Sequence, residues 1–158
     1  MSRIGLISCC KKKLDHAAPA QDLYQSPLFK LSKQWITKRT GEHNRCQEWA
    51  ILSAKHGLVM PDQVIEPYDL SLNDMSQLEK ERWADAVHEQ LVDRWSDQAI
   101  YMILMGGEYK RALRQMPMVE DVIECWTQWR RDRGMSGRRA SMSIGLILQA
   151  LKEDRPYY

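Results

Sequence analysis

The stretch WAILSAKHGLVMPDQVIEPYDLSL (Trp49–Leu72) starts as a continuous apolar run and breaks at Lys55-His56-Gly57. Trp49–Ser53 is short and apolar without alternation, the pattern of a strand buried on both faces. The loop behind it holds Asp62, Glu66, Tyr68 and Asp69 and is stiffened by Pro61 and Pro67. A stiff loop loses little entropy when it holds a side chain in place. Titratable groups concentrated there, at the carboxyl end of a strand, read as half of an active site.

Working outward, Arg3–Ser8 (RIGLIS) and Ala99–Met105 (AIYMILM) repeat the buried-strand pattern. Ser26-Pro27 signals a helix start, with Ser as cap and Pro at the first helical position. That helix is expected from Pro27 to about Arg39, with Leu28, Leu31, Trp35 and Ile36 inward and Gly41 as its stop. Leu72-Asn73-Asp74 is expected to open a long helix to about Trp95, with Met75, Leu78, Trp83, Val87, Leu91 and Trp95 as its apolar stripe and an acidic solvated face opposite. EYKRALRQM reads as a short helix ended by Pro117, VEDVIECW as a fourth strand and ASMSIGLILQALKED as a closing helix. Strands alternating with helices imply one α/β domain over 1–158, three layers deep, with a short, mostly parallel sheet.

Composition narrows the class. The chain is 44% hydrophobic and 28% charged, ordinary for a soluble globular protein. Its apolar runs are too short to cross a bilayer, and MSRIGLISCCKKK lacks the cleavage pattern of a signal peptide. No membrane partner and a cytoplasmic location are expected. Cys9, Cys10, Cys46 and Cys125 form no C-x-x-C pair, so they read as free thiols, with neither a metal site nor a cofactor expected. Six Trp and nine Met fill a core or furnish a stacking surface. Residues 1–40 carry eight Lys or Arg against two acids, a local +6, whereas 73–97 carry three against seven, a local −4. RRDRGMSGRR (130–139) adds five Arg against one Asp. The distribution suggests one positive face.

In an open α/β sheet, ligands bind beyond the carboxyl ends of the strands. Three such ends carry unusual residues: Ser8-Cys9-Cys10-Lys11, Ser53-Ala54-Lys55-His56-Gly57 and Gly106-Gly107-Glu108-Tyr109. Parallel strands would bring them to one crevice. The expected substrate contacts are Cys9, Lys11, Lys13, Tyr24, Ser26, Ser53, Gly106, Gly107 and Tyr109. A Lys here can meet a phosphate as a point charge, and the Gly pair permits close approach of a ring or phosphate. The simpler reading makes Cys9 a buried structural thiol and two of the three lysines solvated. Asp69, Asp62, His56 and Lys55 are the expected catalytic groups. For Asp62 and Asp69 the competing reading is turn and cap hydrogen bonding. Arg130, Arg131, Arg138 and Arg139, interleaved with Trp126 and Trp129, suit phosphate contacts and base stacking.

Two motifs carry a resemblance. LISCCKKKLDHAAPAQDLYQSPLF and WAILSAKHGLVMPDQVIEPYDLSL, followed by a Gly-rich turn before a helix, resemble small bacterial and phage domains of unassigned function near the YaaA-type peroxide-stress proteins. The likeness covers roughly residues 4–115. Cys9, Lys11 and Tyr24-x-Ser26 are also similar to the catalytic core of archaeosine synthase, which acts on a modified base in transfer RNA and is similar in fold to uracil-DNA glycosylases. The resemblance implies a uracil-DNA-glycosylase-like α/β fold that handles a nucleobase in nucleic acid, DNA ahead of RNA. The expected function is therefore an enzyme that cleaves or remodels the N-glycosidic bond of a base in DNA or RNA. The alternatives are a non-catalytic module that senses damaged or modified DNA, and a hydrolase of free nucleotides or nucleosides.

Overall fold

The computed structural model describes residues 2–41 and 46–122. In chain order the elements are β1 (Arg3–Ser8), β2 (Ala18–Pro19), α1 (Ala20–Leu23), α2 (Pro27–Thr37), β3 (Glu48–Ser53), β4 (Gly57–Val59), β5 (Val64–Ile65), α3 (Gln77–Trp95), β6 (Ile100–Leu104) and β7 (Val119–Asp121). Five strands form one sheet in the order β4-β3-β1-β6-β7. β1 is central and parallel to both neighbours, so that Leu6 lies between Ala50 and Ile103. β7 continues the parallel set, and only β4 runs antiparallel, at the edge. The fold is mixed α/β with a mostly parallel sheet, as the strand patterns imply.

Side-chain alternation along the strands shows that both faces are covered. Tyr101 Oη donates to the carbonyls of Leu91 and Ser96, and Trp95 Nε1 donates to Glu48. The face bearing Glu48 and Tyr101 therefore meets α3. Gly5 and Trp49 turn the other way, where Ile36 of α2 packs against them. This explains why β1 and β3 are apolar along their middles: Leu6, Ile7, Ala50, Ile51 and Leu52 are all fully buried. Gly5 has no side chain because α2 takes its place; a Cβ there would collide with Cδ1 and Cγ1 of the buried Ile36.

Several segments differ from the sequence reading. The long helix starts at Gln77, not Leu72, because two capping boxes follow one another. Ser71 with Asp74 closes a single 3₁₀ turn over Leu72–Asp74, the chain extends through Met75, and Ser76 with Glu79 opens α3. Met75 thus lies outside the helix, and Leu78 falls on its solvent side, 55% exposed. Trp83, Ala84, Val87 and Leu91 form the stripe, and Glu81, Asp85, Glu89 and Asp93 are solvated. The short helix after Gly107 is a 3₁₀ turn over Tyr109–Leu113. The strand expected in VEDVIECW is limited to Val119–Asp121 among the described residues, and the expected closing helix lies outside them. No described helix is long and apolar enough to cross a membrane.

The tight contact at Gly5 generates a stability prediction. Gly5→Ala must displace Ile36, and overpacking of this kind costs about 1–3 kcal/mol. The urea midpoint should fall with an unchanged slope. Gly5→Ala combined with Ile36→Val should recover part of the loss, since shortening the isoleucine makes room for the new methyl.

Candidate active site

The two titratable loops seen in the sequence are zipped together. Ala18 and Pro19 pair antiparallel with Ile65 and Val64. The pairing continues as Ala20 N donates to Gln63 O and Gln21 N to Pro61 O. Further back, Lys13 bridges to Tyr24, with Leu14 N donating to Leu23 O and Gln25 N to Lys12 O. These short ladders satisfy backbone groups that loops would otherwise leave to water, and they carry Lys13, Tyr24 and Tyr68 to the end of β3.

Ser53, the last residue of β3, is fully buried. Its Oγ accepts the backbone N–H groups of His56 (3.1 Å) and Lys55 (3.3 Å) and lies 2.7 Å from Tyr68 Oη. A hydroxyl has two acceptor sites and one proton. With both acceptor sites filled, Ser53 must donate to Tyr68, whose Oη also shares a hydrogen bond with Tyr24 Oη at 2.7 Å. The carbonyl of Ser53 accepts Trp83 Nε1 at 2.9 Å, which ties this strand end to α3. Gly57 closes the turn with φ +69° and pairs with Ser53. The close approach that its missing side chain permits is made by Gln90 of α3, whose Oε1 accepts Leu58 N; a Cβ on Gly57 would strike that oxygen.

Around Tyr68 stand Lys13 Nζ, 4.1 Å from the ring centroid, Lys55 Nζ at 5.9 Å, and the His56 ring edge-on at 5.5 Å. At the end of β1, the buried Cys9 places its Sγ 3.1 Å from Tyr109 Oη and accepts Ala54 N–H at 3.4 Å. Tyr109 packs edge-on against Trp83, and Glu108 beside it pairs with Lys80 of α3 (3.3 Å). Burial pushes the Tyr24 phenol up to about 12, with Cys9 adding to the rise. The same causes push Tyr68 and Tyr109 up as well. All three are therefore neutral hydrogen-bonding groups at working pH. Burial, and then Lys55, lowers the pKa of His56, whose Nε2 is buried without a partner among the described residues.

A cavity of about 250 Å³ adjoins this cluster, between the ends of β1 and β6 and the start of α2. Cys9, Ser26 and Gly106 are on its wall, as are Phe29 and Met105, which the sequence reading did not single out. Tyr24 packs on Phe29 at 5.0 Å, so the phenol chain and the cavity share a wall.

Of the sequence-derived candidates, Cys9, Lys13, Tyr24, Ser53, Lys55, His56 and Tyr109 meet at the strand ends, while Ser26 and Gly106 border the cavity. Lys11 and Gly107 are exposed. Asp62 and Asp69 are exposed too, and neither side chain enters a hydrogen bond or ion pair among the described residues. Asp69 is therefore not a cap; Ser71 and Ser76 fill that role. Arg130, Arg131, Arg138 and Arg139 lie outside the described residues, with Trp126 and Trp129. The residue underrated by sequence reasoning is Tyr68, whose one signal was a loop aromatic following Pro67. Among the described residues no three His, Cys, Asp or Glu side chains gather to hold a metal.

Two outcomes follow from this geometry. Tyr68→Phe leaves Ser53 with a buried donor and no acceptor, so unfolding free energy should drop by about 1–3 kcal/mol, read by urea titration. His56 is held neutral in the fold, whereas an unfolded His titrates near 6.5. Its contribution is complete above that value and is lost as pH falls toward the lowered native value. Wild type should lose more stability between pH 7.5 and 5.5 than His56→Gln does; equal losses would show that His56 is not the linked group.

No solved structure matches the chain. Uncharacterized protein YfjM of Bacillus subtilis (strain 168) is 27% identical over 158 residues, covering 96% of this chain and 93% of that protein. The model of a family of unknown function, DUF6884, matches residues 4–128, which cover the elements described above from the second residue of β1 onward. The chain belongs to the DUF6884 family.

Proposed function

We propose that this protein is an enzyme acting on a nucleobase in nucleic acid, DNA ahead of RNA, by hydrolysis of the N-glycosidic bond on a uracil-DNA-glycosylase-like α/β scaffold. The observation that carries the proposal is the meeting of Cys9, Tyr109, Ser53, Tyr68, Tyr24 and Lys13 at the carboxyl ends of three parallel strands. That is the position where α/β sheets hold ligands. Phenols kept neutral by burial suit hydrogen bonding to an uncharged base. Lys13 and Lys55, far apart in sequence but both near the Tyr68 ring, suit the phosphates that flank such a base. The likeness of Cys9, Lys11 and Tyr24-x-Ser26 to the archaeosine synthase core, and of the two long motifs to the YaaA-type neighbourhood, supports the same class of substrate.

In this reading Asp69, next to Tyr68 and free of internal partners, takes the proton of a water attacking C1′ as the bond from C1′ to the base nitrogen breaks. The base leaves with the electron pair, accepts a hydrogen bond from the neutral His56 imidazole and takes its proton from solvent. Extruding the nucleotide from a stack precedes this step.

The full chain should release free base, and leave abasic sites, on some member of a panel of oligonucleotides carrying modified bases. Asp69→Asn should slow release by about 10²–10⁴-fold with the thermal midpoint unchanged, because the side chain makes no internal bond. Binding across the panel with no base released would overturn the proposal in favour of a non-catalytic module. Release from free nucleosides alone would overturn it in favour of a nucleoside hydrolase.

A further inference from the structure

The cavity beside Cys9 has a composition that its neighbours do not. Every described residue on its wall is uncharged, although Lys11, Lys12 and Lys13 follow immediately in the chain. Leu28, Phe29, Leu104 and Met105 are the large apolar side chains on it. Within it lies an anomaly: Ser32 is only 5% exposed, on the sheet-facing stripe of α2, and its hydroxyl enters no hydrogen bond among the described residues. Ser8, across the cavity at the end of β1, likewise has no hydroxyl partner among them. A serine inside a helix can bond the carbonyl four residues back, as Thr37 does with Lys33 in the same helix. Ser32 does not, so its hydroxyl is left for something else. The Ser32 oxygen keeps some accessible surface and Ser32 is on the cavity wall, so a molecule in the cavity can reach it.

We infer that this cavity is a binding site for one uncharged, flat heterocycle, which lies against Phe29 and exchanges hydrogen bonds with the Ser32 and Ser8 hydroxyls. An apolar wall with a few convergent polar groups is the usual make-up of a small-ligand site. At about 250 Å³ it is smaller than pockets for drug-sized ligands. The lack of any charged side chain on the described wall disfavours a phosphate or carboxylate, which would be desolvated there without a counter-charge. Gly106 borders the cavity and is exposed, with open space where a Cβ would stand, which leaves a way in. The identification of the heterocycle as the extruded base rests on the proposed function; the site itself does not.

Calorimetric titration of the full chain with uracil, hypoxanthine and adenine tests this, with the corresponding nucleoside monophosphates as comparison. At least one free base should bind, and its monophosphate should bind no more tightly. Ser32→Ala should weaken that base by about two- to tenfold, the loss of one hydrogen bond, while the urea midpoint of the free protein stays equal or rises. Ser32→Leu should abolish binding by filling the space. A lowered midpoint for Ser32→Ala with affinity unchanged would overturn the inference, because the hydroxyl would then be structural. Failure of all three bases to bind would overturn it as well. Base binding without turnover on oligonucleotides would keep the cavity and refute the glycosidase. Turnover indifferent to Ser32→Ala would do the reverse.

Discussion

The strand-end region depends on the hydroxyl of Ser53. It is fully buried, and a buried hydroxyl must find partners for its proton and its lone pairs. Two backbone N–H groups of the following turn fill the lone pairs, which fixes the β3–β4 hairpin. The proton goes to Tyr68, which comes from a loop fifteen residues further along the chain. Tyr68 in turn holds Tyr24. One side chain thus couples a hairpin turn to two long loops, and counting its acceptor sites fixes the direction of its bond to Tyr68. Buried networks of this kind are costly when half satisfied and rigid when complete.

The cluster separates charge from neutrality over a short distance. Lys13, Lys55 and His56 stand around Tyr68, while the neutral phenols and the Cys9 sulfur are hydrogen-bonding groups in a buried setting. The adjoining cavity is apolar apart from serine hydroxyls, thiols and backbone. The proposed substrate, a nucleotide unit within nucleic acid, pairs a charged backbone with a neutral ring in the same way. The carboxylates Asp62 and Asp69 sit outside this arrangement, exposed and unconstrained. The loop that carries them is stiff at Pro61 and Pro67 and is pinned by its pairing with Ala18–Gln21.

α3 contributes as a brace rather than as a source of site residues. Trp83 reaches the Ser53 carbonyl and the Tyr109 ring, Lys80 holds Glu108, and Gln90 closes against Gly57. Two of the three strand-end loops are thereby fastened to one helix. Its acidic residues face solvent, opposite the stripe that does this work.

The amino-acid sequence by itself determined the secondary framework. Apolar runs within Arg3–Ser8, Trp49–Ser53 and Ala99–Met105 specify buried parallel strands, because a strand covered on both faces favours apolar residues along its middle. Ser26-Pro27 specifies the start of α2 through local capping chemistry. The three loops likewise follow from strand polarity, since parallel strands end on the same side. Local signals misplace the start of α3 because two successive capping boxes, from Ser71 and from Ser76, are both valid locally, and only the extended Met75 between them separates the turn from the helix. Only tertiary structure decided which loop residues meet. Lys13 and Tyr24 pair through backbone bridges that leave no mark on composition, and Tyr68 reaches Ser53 because the ribbon of Ala18–Pro19 with Val64–Ile65 aligns the loops. Asp69 and Tyr68 are neighbours in sequence with opposite fates, one exposed and one locked inward. The bonds of the Tyr68 phenol to Ser53 and Tyr24, which only the folded chain brings within reach, set that difference.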